Sequence, residues 1–213
     1  MTLQRTRIKI CGITRPDDGV AAARAGADAI GLVFWARSSR AVAIEQAVAI
    51  CRALPPFVAT VGLFVDADPA WVEEVLNEVP LSLLQFHGEE APDYCEQFGV
   101  PYLKAVRMRD DVDTLALRER YASAQALLLD TYRAGVPGGT GAVFDWNRVP
   151  SQLAPQIVLA GGLTSDNVGA AVQRLRPWAV DTSGGVESAP GIKDAARIAA
   201  FIAAVRVADS QSI

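Results

Sequence analysis

RIKICGITRPDDGVAAARAGADAIGLVF, residues 7–34, changes its periodicity twice. Residues 7–13 alternate as a strand does, residues 16–25 place small and apolar side chains at helical spacing, and residues 29–34 return to a short apolar run. Thr14 ahead of Pro16 marks the helix start, since proline lacks an N–H that the first helical turn could not use. The unit is strand, helix, strand. It recurs along the chain, with further strands expected at 59–65, 81–87, 102–108, 126–131, 157–162 and 179–183, and further helices at 44–54, 69–78, 91–98, 165–175 and 193–205. Asp68 before Pro69 and Thr164 before Ser165-Asp166 give two more start signals. The sixth crossover differs: a glycine-rich stretch, residues 135–141, leaves room only for a short helix near 145–149. Eight strand units with helical crossovers in about 200 residues predict an α/β fold, a closed (β/α)8 TIM barrel with its chemistry at the C-terminal ends of the strands. An open doubly wound sheet is the architectural competitor.

Composition agrees with one domain spanning residues 1–213 and excludes several classes of function. Of 213 residues, 51% are hydrophobic and 21% charged, enough apolar material for a parallel sheet covered on both faces. A chain of this length buries roughly 70% of its unfolded surface in one core. The net charge of −4 and the scattered Lys and Arg give no footprint for nucleic acid. No run approaches the roughly 20 apolar residues of a membrane span, and the first residues lead directly into a strand, so no membrane partner and a cytoplasmic location are expected. Cys11, Cys51 and Cys95 are odd in number and lack a CxxC pair, which argues for free thiols. Nor do one histidine, one cysteine and one aspartate on three separate strands supply the paired ligands of a zinc or iron site; no metal and no cofactor are expected.

Alternation along the strands selects the candidate chemistry. Ile8 and Ile10 must pack on helices, so Lys9 and Cys11 point into the barrel, where a neighbouring cation favours a thiolate and makes Cys11 a candidate base or nucleophile. The same rule puts Gln85 and His87 at the mouth of the fourth strand; His87 is assigned to the site without being made acid or base. Asp130 closes the apolar run 126–129 at the reactive face. After the seventh and eighth strands come Ala160-Gly161-Gly162-Leu163 and Asp181-Thr182-Ser183-Gly184-Gly185-Val186-Glu187. Glycines allow backbone N–H groups to converge on an anion, and loops after strands seven and eight are the usual phosphate site of such barrels. Residues 135–141 read as a close-approach loop over the mouth.

Taken together, Lys9-Ile10-Cys11-Gly12-Ile13-Thr14, Ser38-Ser39-Arg40, Val61-Gly62-Leu63-Phe64-Val65, Leu84-Gln85-Phe86-His87-Gly88-Glu89, Gly138-Gly139-Thr140-Gly141, Phe144-Asp145-Trp146, Leu159-Ala160-Gly161-Gly162-Leu163 and Gly184-Gly185-Val186-Glu187 resemble the phosphoribosylanthranilate isomerase family. The resemblance implies an Amadori rearrangement of a phosphorylated aminosugar in tryptophan biosynthesis, without metal or organic cofactor. It implies Cys11 as general base, Asp130 as general acid, Arg40 as partner of the anthranilate carboxylate, and a phosphate held around Gly161, Gly162, Ser183, Gly184 and Gly185. Lys9, Gln85 and His87 complete the expected substrate site. Two departures from the family pattern are visible: Gly184 where a second serine is common, and Ala142 where lysine often follows the GGTG segment. The expected partner is a small phosphorylated molecule; monomer and homodimer both remain open. Another phosphosugar barrel, with acidic or lysine groups such as Lys104 and Asp181 at its strand ends, is the nearest enzymatic alternative. A silent phosphate-binding barrel is the alternative of another class.

Overall fold

In the computed structural model, which describes residues 5–131 and 144–211, eight parallel strands pair in sequence order and the last closes on the first. They are β1 (Arg7–Ile10), β2 (Ala29–Val33), β3 (Ala59–Phe64), β4 (Leu83–Phe86), β5 (Tyr102–Met108), β6 (Ala126–Thr131), β7 (Ile157–Leu159) and β8 (Ala179–Thr182). Closure is a full ladder, with Arg7, Ile8, Lys9 and Ile10 opposite Ala179, Val180, Asp181 and Thr182. The expected closed barrel is therefore the observed one. The glycine-rich residues 135–141 and Ala142 lie outside the described residues.

Seven helices follow: α1 (Pro16–Ala25), α2 (Ile44–Ala53), α3 (Pro69–Glu78), α4 (Pro92–Glu96), α5 (Thr114–Arg120), α6 (Val168–Leu175) and α7 (Ala195–Ser210). Proline begins α1, α3 and α4, and Asp68 caps α3 by accepting from the Ala70 N–H at 2.9 Å. Thr14 does not cap α1; its hydroxyl donates to the Gly191 carbonyl at 2.5 Å and ties the loop after β1 to the far end of the chain. Alternation along the strands separates two cores. Outward side chains form the larger one, in which Phe34 just past β2, Phe64 on β3, Phe86 on β4 and Tyr102 on β5 make a run of ring contacts, with centroids 5.3, 6.4 and 5.9 Å apart, beneath the helices. Each such ring removed from water contributes on the order of 1.5–3 kcal/mol. Inward Leu103, Ala105, Ala126, Leu128, Val158, Ala160 and Ala179 fill the barrel floor.

The structure departs from expectation mainly past β8. A helix was expected over 193–205, but Lys193 belongs to a strand and α7 runs Ala195–Ser210, capped by Asp194. Between Ser183 and that cap lie a three-residue 3-10 turn (Gly184–Val186) and an antiparallel hairpin, β9 (Glu187–Ala189) with β10 (Ile192–Lys193). Gly191 at φ 79° supplies its left-handed turn residue. α6 also starts later than expected, because Asn167 holds the preceding loop open: its Oδ1 accepts from Thr164 N and its Nδ2 donates to the Gly162 carbonyl, both at 2.9 Å.

Candidate functional site

A cavity of about 550 Å³ opens at the C-terminal ends of the strands. Cys11, Gln85, His87 and Asp130 line it, as do Arg40 and the glycine loops at 161–162 and 183–185. Except for Lys9, which does not line the cavity, the expected residues thus meet around one space, at the end where a barrel carries its chemistry.

One wall is β1. Lys9 is almost fully buried, and its Nζ donates to Asp181 Oδ1 at 2.9 Å, across the strand pair that closes the barrel. Burial pulls its proton affinity down, but the Asp181 carboxylate and the adjacent Cys11 sulfur outweigh that and hold the ammonium above the usual lysine range. Cys11 is 6% exposed. Burial pushes its thiol above the usual range and Asp181 adds to the push, while Lys9 and, more weakly, Lys193 draw it down. Gly31 on β2 makes room for this pair: a Cβ there would stand 2.7 Å from Cys11 Sγ and 3.1 Å from Lys9 Nζ. Val33, Leu63, Trp35 and Val65 continue from Cys11 as an apolar wall.

Opposite stands Asp130 at the end of β6. His87 Nε2 lies 3.2 Å from Asp130 Oδ2, the Thr131 N–H donates to Oδ1 at 2.8 Å, and Gln85 Nε2 lies 3.0 Å from His87 Nδ1. Arg107, across the ladder from Asp130, also lines the cavity and donates to the His87 carbonyl at 3.4 Å. Lys104 does not reach this space. It faces outward, paired with Glu90 at 2.9 Å and donating to the Gly88 carbonyl at 2.6 Å.

The loops after β7 and β8 are built backbone against backbone. Gly161 and Gly162 take φ of 85° and 64°, and Thr182 Oγ1 donates to the Leu163 carbonyl at 2.8 Å. A Cβ on Gly161 would meet Thr131, and one on Gly185 would meet the Leu163 carbonyl. At the rim, Arg40 grips Glu187 through Nε and Nη2, both at 2.7 Å. Lys193 Nζ reaches Glu187 at 2.8 Å and the Ser183 carbonyl and hydroxyl at 3.1 and 3.2 Å. Burial pushes Glu187 up, but the hydrogen bonds and charges of Arg40 and Lys193 prevail and hold it below the usual carboxylate range. Gly12, at φ 70°, lets this cluster assemble: a Cβ would lie 2.6 Å from Arg40 Cδ and 2.9 Å from Ser183 Oγ.

Sequence reasoning missed Arg107, Lys193 and the pairing roles of Asp181 and Glu187. Arg107 shares the inward face of β5 with Leu103 and Ala105, so alternation could have found it. Nothing in the pattern marks Lys193, which the short hairpin of β9 and β10 delivers. Among the described residues no three His, Cys, Asp or Glu side chains group as metal ligands, and no helix is long and apolar enough to cross a membrane.

Known proteins supply the last observation. The family model for N-(5'phosphoribosyl)anthranilate (PRA) isomerase matches residues 8–204. An N-(5'-phosphoribosyl)anthranilate isomerase of Pseudomonas putida is 58% identical over 206 residues, covering 97% of this chain and all of its own length. The crystal structure of phosphoribosyl anthranilate isomerase from Thermotoga maritima superposes with a TM-score of 0.86 at 37% identity, over 95% of this chain and 99% of that one. A phosphoribosyl anthranilate isomerase in complex with reduced 1-(o-carboxyphenylamino)-1-deoxyribulose 5-phosphate gives 0.81 at 37% identity with the same coverage. With its barrel, its strand-end residues and these likenesses in register over nearly its whole length, the chain belongs to the N-(5'-phosphoribosyl)anthranilate isomerase family.

Proposed function

We propose that this chain isomerises N-(5-phosphoribosyl)anthranilate to 1-(2-carboxyphenylamino)-1-deoxyribulose 5-phosphate, a step of tryptophan biosynthesis, by acid–base catalysis between Asp130 and Cys11. The observation that carries the reading is that these two groups, from strands three apart around the barrel, line one cavity together with the glycine loops and Arg40. Asp130 gives its proton to the furanose ring oxygen as the C1–O bond breaks; the bond pair goes to oxygen, and the anilino nitrogen forms a C1=N bond. The Cys11 thiolate then takes the proton from C2, leaving an enolamine that tautomerises to the ketone. Lys9 supports the thiolate, and the apolar wall from Val33 to Val65 suits the aromatic ring. The phosphate lies against Gly161, Gly162, Ser183, Gly184 and Gly185, where backbone can approach it closely.

Arg40 meets the anthranilate carboxylate in a more limited way than a free guanidinium would. Glu187 already occupies Nε and Nη2, so the Nη1 edge is what remains for a ligand. Arg40→Lys loses the planar fork toward both partners, and kcat/KM should fall by the equivalent of about 1–3 kcal/mol. The decisive experiment follows the fluorescence of phosphoribosylanthranilate on mixing with the protein. Turnover inhibited competitively by inorganic phosphate is expected. A folded protein that leaves the substrate unchanged would refute the assignment, and turnover indifferent to phosphate would refute the phosphate site.

A further inference from the structure

Gln85 presents a puzzle of placement. It sits on the inward face of β4 at 1% exposure, just above a floor of Leu103, Leu128 and Val158. Its Oε1 is buried and has no hydrogen-bond partner, a condition that costs about 1–3 kcal/mol and that an apolar side chain would avoid. Its Nε2 makes one contact, to His87 Nδ1 at 3.0 Å.

That contact determines where the histidine carries its proton. An amide nitrogen only donates, so Nδ1 accepts, and a neutral imidazole whose Nδ1 accepts has its hydrogen on Nε2. Nε2 points at Asp130 Oδ2, 3.2 Å away, while the Thr131 N–H holds Oδ1 at 2.8 Å. In the other tautomer the Nδ1–H would face the Gln85 amide N–H, donor against donor, across 3.0 Å. The backbone around His87 is also pinned, by Arg107 on its own carbonyl and by Lys104 on that of Gly88.

We propose that Gln85 and His87 are positioning residues for Asp130: Gln85 locks the imidazole in the Nε2–H form, and that N–H aims the Asp130 carboxyl group at the ring oxygen and stabilises the carboxylate left after proton delivery. The inference rests on the reaction proposed above. In ring opening one proton moves, from Asp130 to the ring oxygen as the C1–O bond breaks; His87 neither gains nor loses one. Both donors to Asp130 stand in place before the reaction, the arrangement in which a hydrogen bond to developing charge is most effective. The charged groups facing the pair are Arg107 from β5 and Asp181 from β8, the latter neutralised by Lys9 from β1.

The chain has a single histidine, so its ring nitrogens can be read directly in uniformly 15N-labelled full-length protein by long-range 1H–15N correlation at alkaline pH. The expected result is a pyridine-type Nδ1 and a pyrrole-type Nε2. A protonated Nδ1, or averaging between tautomers, overturns the proposal, and this readout needs no activity. Gln85→Glu replaces the donor by an isosteric acceptor and should move the proton to Nδ1. It should lower kcat about 10-fold or more with KM changed by less than about 2-fold. Ring opening should then limit turnover, so the slowing caused by deuterium at C2 of the ribose in single-turnover experiments should shrink toward one. An inverted tautomer with kcat and isotope effect unchanged would also overturn the proposal. If the wild-type protein turned over no phosphoribosylanthranilate, the reaction assignment would fail while the tautomer remained measurable.

Discussion

At Cys11 two forces compete over one proton. Burial favours the thiol, and the Lys9 ammonium favours the thiolate without overcoming burial. The mechanism needs the Cys11 thiolate and the Asp130 carboxylic acid together, so kcat/KM should trace a bell in pH rather than a single climb. Lys9→Met removes the cation that most favours the thiolate and should lower the top of the bell; an unmoved profile would show that Cys11 does not set it. Cys11→Ala and Asp130→Asn should each lose roughly 10²–10⁴ in kcat with folding preserved, and a near-normal rate in either would remove that residue from the mechanism. Much at this scale was legible in advance: strand alternation turned Lys9, Cys11, Gln85 and His87 inward, and Asp130 was placed at the mouth as the acid that closes the run 126–129. What alternation does not carry is pairing. That Lys9 belongs to Asp181 and Arg40 to Glu187 depends on contacts 172 and 147 residues apart, which no local pattern encodes.

Among the elements, the hairpin of β9 and β10 is the part least visible in the sequence, since three and two residues are too few for a period, and Lys193 was absorbed into the helix that follows. The proline-started helices were visible, because proline and the Asp68 cap act through the first turn itself. The hairpin is fastened to the mouth by Glu187, whose folded pKa is depressed. Its contribution is therefore complete above the ordinary glutamate value of 4.5 and is lost as pH falls through the lower folded value. Urea midpoints measured down the acid range should fall more steeply in the wild type than in Glu187→Gln, with the two curves converging at the lowest pH; parallel curves would deny the linkage. The loop after β4 has its own fastening. Glu90 accepts from Lys104 at 2.9 Å and also from the N–H groups of Asp66 and Gly88, at 2.9 and 3.0 Å. Lys104→Met should cost about 3–5 kcal/mol in unfolding free energy, the usual result of stranding one buried charge. Adding Glu90→Leu should not restore it, because the two backbone N–H groups would lose their acceptor. Recovery to wild-type stability in the double variant would show that the pair matters only as charge.

For the whole molecule, chemistry and chain connection lie at opposite ends of the barrel. Phe57 stands fully exposed in the turn between α2 and β3, on the face away from the cavity, while Thr6 N and Oγ1 bond to the Asp209 carboxylate at 3.0 and 2.7 Å and bring the first strand beside the last helix. A permuted chain opened before Phe57, with its former ends joined by a short flexible linker, should keep kcat within about tenfold of the original. One opened at Gly184, between the phosphate loop and the hairpin, should lose activity while the far-UV spectrum survives. Equal activity in both would mean that the mouth does not depend on chain continuity after β8. The closing ladder between β1 and β8 has a further meaning for a protein made from one end to the other. Lys9 and Cys11 leave the ribosome ahead of the other strands, yet the carboxylate that neutralises Lys9 is translated 172 residues later. At the roughly 5–20 residues per second of synthesis, that interval is about ten to thirty seconds. Throughout it, a strand destined for the centre of the barrel has only one of its two neighbours, and its ammonium must stay in water. The nascent chain can assemble its helices and middle strands early, but it becomes an enzyme only when the eighth strand arrives, so premature termination anywhere before Asp181 yields an open sheet edge for chaperones and proteases to recognise.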